Sequence, residues 1–151
     1  MQEAAFDWYA REILDSTGTS AIVHGDTTNA EYDGLIAQIH GERWRVRTAR
    51  ETPRKPGLFL AFWRRGADGT TEPFRSTDQD GLLVLIDAGG RRAGFRFAAD
   101  QLDRLGITAS AAHPGKRGFR VYPAWSTGLN PQASRTQKQH AAAFFEITAQ
   151  A

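Results

Sequence analysis

Gly81-Leu82-Leu83-Val84-Leu85-Ile86, then Asp87-Ala88-Gly89-Gly90, then Arg91-Arg92-Ala93-Gly94-Phe95-Arg96-Phe97-Ala98 is the stretch that decides the fold. Side chains on a strand point alternately to opposite faces. An unbroken apolar run from Leu82 to Ile86 therefore buries both faces, which predicts a central strand. Asp87 to Gly90 has turn composition. Beyond it, Phe95 and Phe97 alternate with Gly94, Arg96 and Ala98, a second strand with one core face. Ala99 to Leu105 reads as a short helix stopped by Gly106.

Working outward toward the N-terminus, residues 2–15 carry Ala5, Tyr9 and Ile13 four apart, the spacing of a helix. Ser16 to Ser20 ends it, and a loop containing Gly25, Asp26 and Asn29 follows. Residues 34–40 and 43–51 read as strands around a Gly41-Glu42 hairpin turn. In the second of these, Trp44, Val46, Thr48 and Arg50 share one side and Arg43, Arg45, Arg47 and Ala49 the other. The arginine side is either a ladder of binding cations or a solvated face. Thr52-Pro53-Arg54-Lys55-Pro56-Gly57 is a basic loop stiffened by two prolines. Leu58 to Arg65 is an apolar strand ending in Trp63-Arg64-Arg65.

On the C-terminal side, Gly115-Lys116-Arg117-Gly118-Phe119-Arg120-Val121-Tyr122-Pro123-Ala124-Trp125 is a strand with a proline stop. Phe119 and Val121 suit a core; Arg120 and Tyr122 share the other face. Asn130-Pro131 has the composition of a helix start, with Asn as cap and Pro in the first turn. That helix is expected over residues 131–147, with Gln137, Ala141, Phe144 and Thr148 along one side. The order of elements predicts one α+β domain over residues 1–151, with a central, mainly antiparallel or mixed sheet flanked by helices.

The chain has 151 residues, an apolar fraction of 40%, 9 Phe and 4 Trp, enough for a packed core. It has no cysteine. Disulfides, thiolate zinc sites and cysteine nucleophiles are thereby excluded, and a reducing, cytoplasmic location fits. No signal peptide opens the sequence and no apolar run is long enough to span a bilayer. The net charge of +2 hides a split. Eight acids and one base precede Arg43, whereas eighteen bases and nine acids follow from it. From Arg104 to Phe145 there is no acid at all, so Lys116, Arg117, Arg120, Arg135 and Lys138 lack a carboxylate in their own segment. Cations without local partners suit an anion from outside; pairing with acids elsewhere in the chain explains any one of them equally, but for the cluster as a whole binding is the favoured reading.

Motifs for other chemistry are missing. His24, His40, His113 and His140 lack metal-ligand spacing, and neither a nucleophile elbow nor a phosphate-binding glycine loop is present. Glu31, Asp78, Asp80 and Asp87 are the carboxylates able to hold a hard cation, but Asp80 fits turn chemistry better. Aromatic residues interleave with the cations at Trp63-Arg64, Arg120 and Tyr122, and Trp125. Phosphate contacts from cations combined with ring stacking on bases would suit nucleic acid.

Several of these residues, in order, resemble one family. They are Arg47-Thr48-Ala49, Thr52-Pro53, Lys55, Gly57, Trp63-Arg64, Pro73-Phe74, Asp78, Asp80, Gly94-Phe95, Phe97, Gly115-Lys116-Arg117, Arg120-Val121-Tyr122-Pro123, Trp125, Gln132-Ala133 and Thr136-Gln137. Spread from about Glu31 to Ile147, the set resembles the MepB-like family of small bacterial proteins. The resemblance implies a restriction-endonuclease-like (PD-(D/E)XK-type) core and nucleic-acid binding. In such a core, Gly81–Ile86 would be the second strand and Arg92–Ala98 the third. The third strand should then carry Glu-x-Lys, and it carries neither acid nor lysine. The expectation is therefore a nucleic-acid-binding protein without that catalysis and without a cofactor, with DNA favoured over RNA and no membrane partner. The expected binding residues are Arg47, Lys55, Arg64, Lys116, Arg117, Arg120, Tyr122, Trp125, Thr136, Gln137 and His140. Two alternatives stay open. One is a Mg2+- or Mn2+-dependent nuclease with a displaced site at Glu31 and Asp78; the other is an accessory module binding a small anion or a protein partner.

Overall fold

The computed structural model describes residues 4–147. Helix α1 (Ala5–Tyr9) continues as a wider π turn, Ala10–Leu14, and a 3-10 turn, Asp15–Thr17. The strands are β1 (Ala21–Gly25), β2 (Leu35–Ile39), β3 (Glu42–Thr48), β4 (Arg50–Glu51), β5 (Leu58–Ala61), β6 (Arg64–Arg65) and β7 (Thr71–Glu72), then β8 (Gly81–Ala88), β9 (Arg91–Ala98), β10 (Gly118–Val121) and β11 (Phe144–Ile147). Helix α2 (Ala99–Arg104) follows β9, and α3 (Pro131–His140) follows β10. No helix among the described residues is long and apolar enough to cross a membrane.

Six strands make one sheet in the order β1-β2-β3-β8-β9-β11. Every neighbouring pair is antiparallel except β3 with β8. The fold is thus α+β with a mixed, mainly antiparallel sheet, as the element order implies. β8 lies inside the sheet and is buried on both sides. Leu82, Val84 and Ile86 pack into one core with Phe95, Phe97, Leu58, Leu60, Phe62, Phe119 and Val121. Leu83 and Leu85 pack into the other with Phe6, Trp8, Tyr9, Trp44 and Val46. The N-terminal helical segment therefore covers one face of the sheet. A smaller sheet, in the order β10-β5-β4, covers the opposite face together with α2. Burying each large apolar side chain contributes roughly 1.5–3 kcal/mol, so the doubly covered β8 is the main contributor to this frame.

Three expectations need correction. Residues 21–25 form strand β1 where a loop was expected; its exposed Ile22 and Val23 lack the core pattern that marks a strand. The strand expected over 43–51 breaks at Ala49, whose N–H still donates to Leu85 O of the large sheet. Arg50 then starts β4 in the small sheet. The helix expected to end at Ile147 stops at His140; Ala141–Ala143 is a 3-10 turn and Phe144–Ile147 becomes β11, paired to β9. The aromatic and β-branched residues of Phe144-Phe145-Glu146-Ile147 outweigh the helical preference of the alanines once an open sheet edge is in reach. Thr148 and the helix positions 2 and 3 lie outside the described residues. By contrast, the Asn130 cap forms as expected, its side chain accepting from Ala133 N at 2.8 Å.

Candidate nucleic-acid interface

The small sheet sets three side chains in a row. Phe59 of β5 stands opposite Arg120 of β10 and opposite Arg50 of β4. Residues directly opposite on antiparallel strands share a face. Leu58 and Leu60, one position either side of Phe59, are buried in the core, so the Arg120–Phe59–Arg50 row faces outward. Gly118 belongs to the same face; a Cβ there would stand 2.6 Å from the Phe59 ring, so glycine is what lets that ring lie down across β10. The Tyr32 ring meets Phe59 edge-on at 6.0 Å, and the Arg50 guanidinium lies 5.9 Å from it.

Arg120 also fixes the neighbouring loop. It donates to Pro56 O at 3.1 Å and to the Thr52 hydroxyl, tying both ends of the proline loop to β10. Arg54 and Lys55 are exposed at the tip of that loop. Among the described residues, Arg50, Arg54, Lys55 and Arg120 make no ion pair with a carboxylate. Three exposed acids adjoin the row in the chain: Glu31 and Asp33 on either side of Tyr32, and Glu51 after Arg50 on β4. The result is a strip of four cations with two half-buried rings at its centre.

The other expected binding residues are dispersed. Arg47 has no exposed surface. Its guanidinium donates to Asn29 Oδ1 at 3.0 Å, Val46 O at 2.9 Å and Asp26 Oδ2 at 2.9 Å, so it is a structural group and cannot meet an external phosphate. His140 is 5% exposed and surrounded by Phe95, Phe97 and Phe119, which removes it from the surface as well. Gln137 spends its amide on Pro123 O at 2.8 Å and Ser126 O at 3.4 Å, holding the loop after β10 to α3. Trp125 lies beneath Arg91, at 4.1 Å, and edge-on to Phe144 at 6.1 Å. Tyr122 and Gln137 line a cavity of about 350 Å3 beside α3, and Thr136 is half-buried on the same helix. Lys116 and Arg117 are exposed; Arg117 turns away from the strip to donate to Thr71 O at 3.2 Å. Arg64 pairs with Glu72 at 3.4 Å and with Asp78 at 3.6 Å. Of the expected residues, Lys55 and Arg120 are the two that the strip brings together.

Glu31 and Asp78 do not converge. Asp78 accepts from Arg75 N at 2.8 Å and pairs with Arg64, whereas Glu31 is exposed beside Tyr32. An open cavity of about 690 Å3 lies where β3 and β8 end; Arg50 of the row is in its wall together with Asp33, Glu51 and Asp87. Among the described residues, no group of three acids or histidines is placed to hold a metal ion.

Sequence reasoning missed Arg50, Phe59 and Tyr32. Arg50 was placed on the core side of an unbroken strand, and only the break at Ala49 moves it outward. The signal for Phe59 was present in the alternation Leu58-Phe59-Leu60, which leaves one ring out of the core.

A six-stranded mixed sheet, covered on one face by the N-terminal helical segment and on the other by a small basic sheet, defines a compact α+β class. The sequence model of the MepB-like family matches residues 26–146, and the chain belongs to that family. The crystal structure of MepB superposes with a TM-score of 0.84 over 99% of this chain and 100% of that chain, at 24% identity, which establishes a shared fold. No curated protein matches the chain.

Proposed function

We propose that this protein binds nucleic acid through the outer face of the small sheet, on a restriction-endonuclease-like architecture that lacks the usual catalytic residues. One observation carries the reading: the row Arg120–Phe59–Arg50, extended by Arg54 and Lys55, has cations without carboxylate partners around half-buried rings. Cations so placed suit phosphates, and rings suit bases. The row is presented by strands and a loop, so contacts would be to the phosphate backbone and largely independent of sequence. DNA is the favoured ligand, in a cytoplasmic setting.

Under this architecture β9 is the strand that should carry Glu-x-Lys. Its residues Arg91 to Ala98 include neither an acid nor a lysine. Metal-assisted hydrolysis needs ligands for the ion and a group acting on the attacking water. The protein should therefore leave plasmid and single-stranded DNA intact in Mg2+ or Mn2+. Cleavage abolished by Asp78→Ala or Glu31→Ala would establish the nuclease reading instead.

Binding is tested by fluorescence anisotropy with labelled duplex and single-stranded oligonucleotides at low salt. The wild type should bind both, and Arg50→Ala combined with Lys55→Ala should weaken binding to every sequence alike. Absence of binding at low salt would leave a small anion or a protein as the ligand.

A further inference from the structure

The cavity of about 350 Å3 beside α3 has a lining that the strip does not use. Tyr122 and Phe144 form walls, Phe95 lies at the floor, and the exposed alanines Ala124 and Ala141 border it on the outside. Phe95 is 1% exposed, so the rings a ligand can reach are those of Tyr122 and Phe144, both half-buried. Phe144 is there because β11 forms: it stands opposite Phe95 in the sheet, with the ring centroids 5.2 Å apart. Among the described residues, no acid lines this cavity.

Its polar groups suit a ligand with N–H donors and a negative charge. Gln137 Nε2 donates to Pro123 O and Ser126 O, which fixes the other end of the amide as oxygen. That Oε1 takes no donor among the described residues and, unlike the unpartnered ring nitrogens of His113 and His140, it is not closed off from solvent. The Tyr122 hydroxyl is open and unpartnered in the same way. Lys138, exposed in the wall, makes no ion pair among the described residues. Tyr122 also joins the cavity to the strip. A Cβ at Gly57 would lie 2.6 Å from Val121 O and 2.7 Å from Tyr122 Cδ1, and Gly57 has a φ of 76°. Only glycine lets that ring lie against the end of the proline loop. One ring thus belongs both to the cavity wall and to the edge of the loop that carries Arg54 and Lys55.

We propose that this cavity takes one nucleobase of a single strand whose phosphates lie on the strip. The base stacks on Tyr122 and Phe144, one of its N–H groups donates to Gln137 Oε1, and Lys138 meets the adjoining phosphate. The volume falls among pockets of roughly 300–1,000 Å3, which are mostly apolar with a few polar groups that fix orientation. A paired base cannot enter, so the site selects single strands or ends that have opened. The strand depends on the strip, whose role as a nucleic-acid interface is the reading proposed above; the base depends on the cavity alone.

Fluorescence anisotropy at low salt, with a labelled single strand and with the same strand made abasic throughout, separates the two. Ala141→Trp fills the cavity from an exposed wall position whose backbone is helical, at φ −58°. Ala124→Trp does so from the exposed residue on the other side. Each should weaken binding of the base-bearing strand about tenfold, the loss of one stacked base being worth that much. Each should leave the abasic strand and the melting temperature unchanged. Stacking on Phe59 survives in both variants, so the loss belongs to the cavity. Arg50→Ala with Lys55→Ala should instead weaken both strands alike. Wild-type affinity for the base-bearing strand in both tryptophan variants, with strand binding otherwise intact, would overturn the base site and leave the strip standing. No binding of either strand by the wild type at low salt would overturn both.

Discussion

His140 sits where three phenylalanine rings leave no room for a charge. Phe97 meets it edge-on at 5.1 Å, and Phe95 and Phe119 at 6.0 Å. Burial, helped by the nearby Lys116 charge, lowers its pKa to about 4. The unfolded chain takes up this proton below about pH 6.5, and the folded chain does not until about pH 4. Acid therefore favours unfolding: the contribution is complete above pH 6.5 and falls away down to about pH 4, roughly 3 kcal/mol in all. His140→Phe should flatten urea stability across that window; an unchanged pH slope would contradict the burial argument. Arg47 makes the opposite kind of statement, being a charge that is buried and paired. Arg47→Ala strands its partners and should cost about 3–5 kcal/mol in urea unfolding, with Asp26 still held by Arg45. Neither residue could be placed from the sequence. An arginine alternating with Trp44 and Val46 looks the same whether it meets solvent or a carboxylate brought in from Asp26.

At the scale of elements, the small sheet separates what was legible from what was not. β8, β9, α2 and the Asn130 cap could be read directly, because unbroken apolar character, period-two alternation and capping chemistry are local signals. β4 and β11 could not. Two residues of β4 exist only because β5 is there to pair with, and β11 exists because β9 has a free edge. Partners distant in the chain decided both, and they decided the site as well, since Arg50 reaches the strip by leaving the strand it was expected to continue. This assembly yields its own prediction. Phe59 is half-buried between two arginines, so Phe59→Ala should weaken single-stranded binding by about 1–3 kcal/mol for each base that stacks there and leave duplex binding nearly unchanged. Parallel titrations of the two ligand forms would measure the difference.

For the whole molecule, the charge split between the first 42 residues and the rest proves to be partly an internal matter. Asp26, from the acidic part, pairs with both Arg45 and Arg47, from the basic part. Of the cations left without an ion pair, Arg50, Arg54, Lys55 and Arg120 lie on the small sheet and its proline loop, which cover the face of the large sheet opposite the N-terminal helix. The cations expected as one surface are thus divided among the interior (Arg47), the ion pairs of Arg64, the exposed Lys116–Arg117 segment and the strip, and the strip sets cations without ion pairs around half-buried rings. The measurement that bears most directly on this is the salt dependence of duplex binding. Arg50, Arg54, Lys55 and Arg120 represent about four phosphate contacts, which imply a slope of log affinity on log salt of roughly −4. Arg50→Ala with Lys55→Ala should reduce its magnitude by about 2. A wild-type slope near zero, or one that survives the double substitution unchanged, would contradict the assignment of nucleic-acid binding to this face.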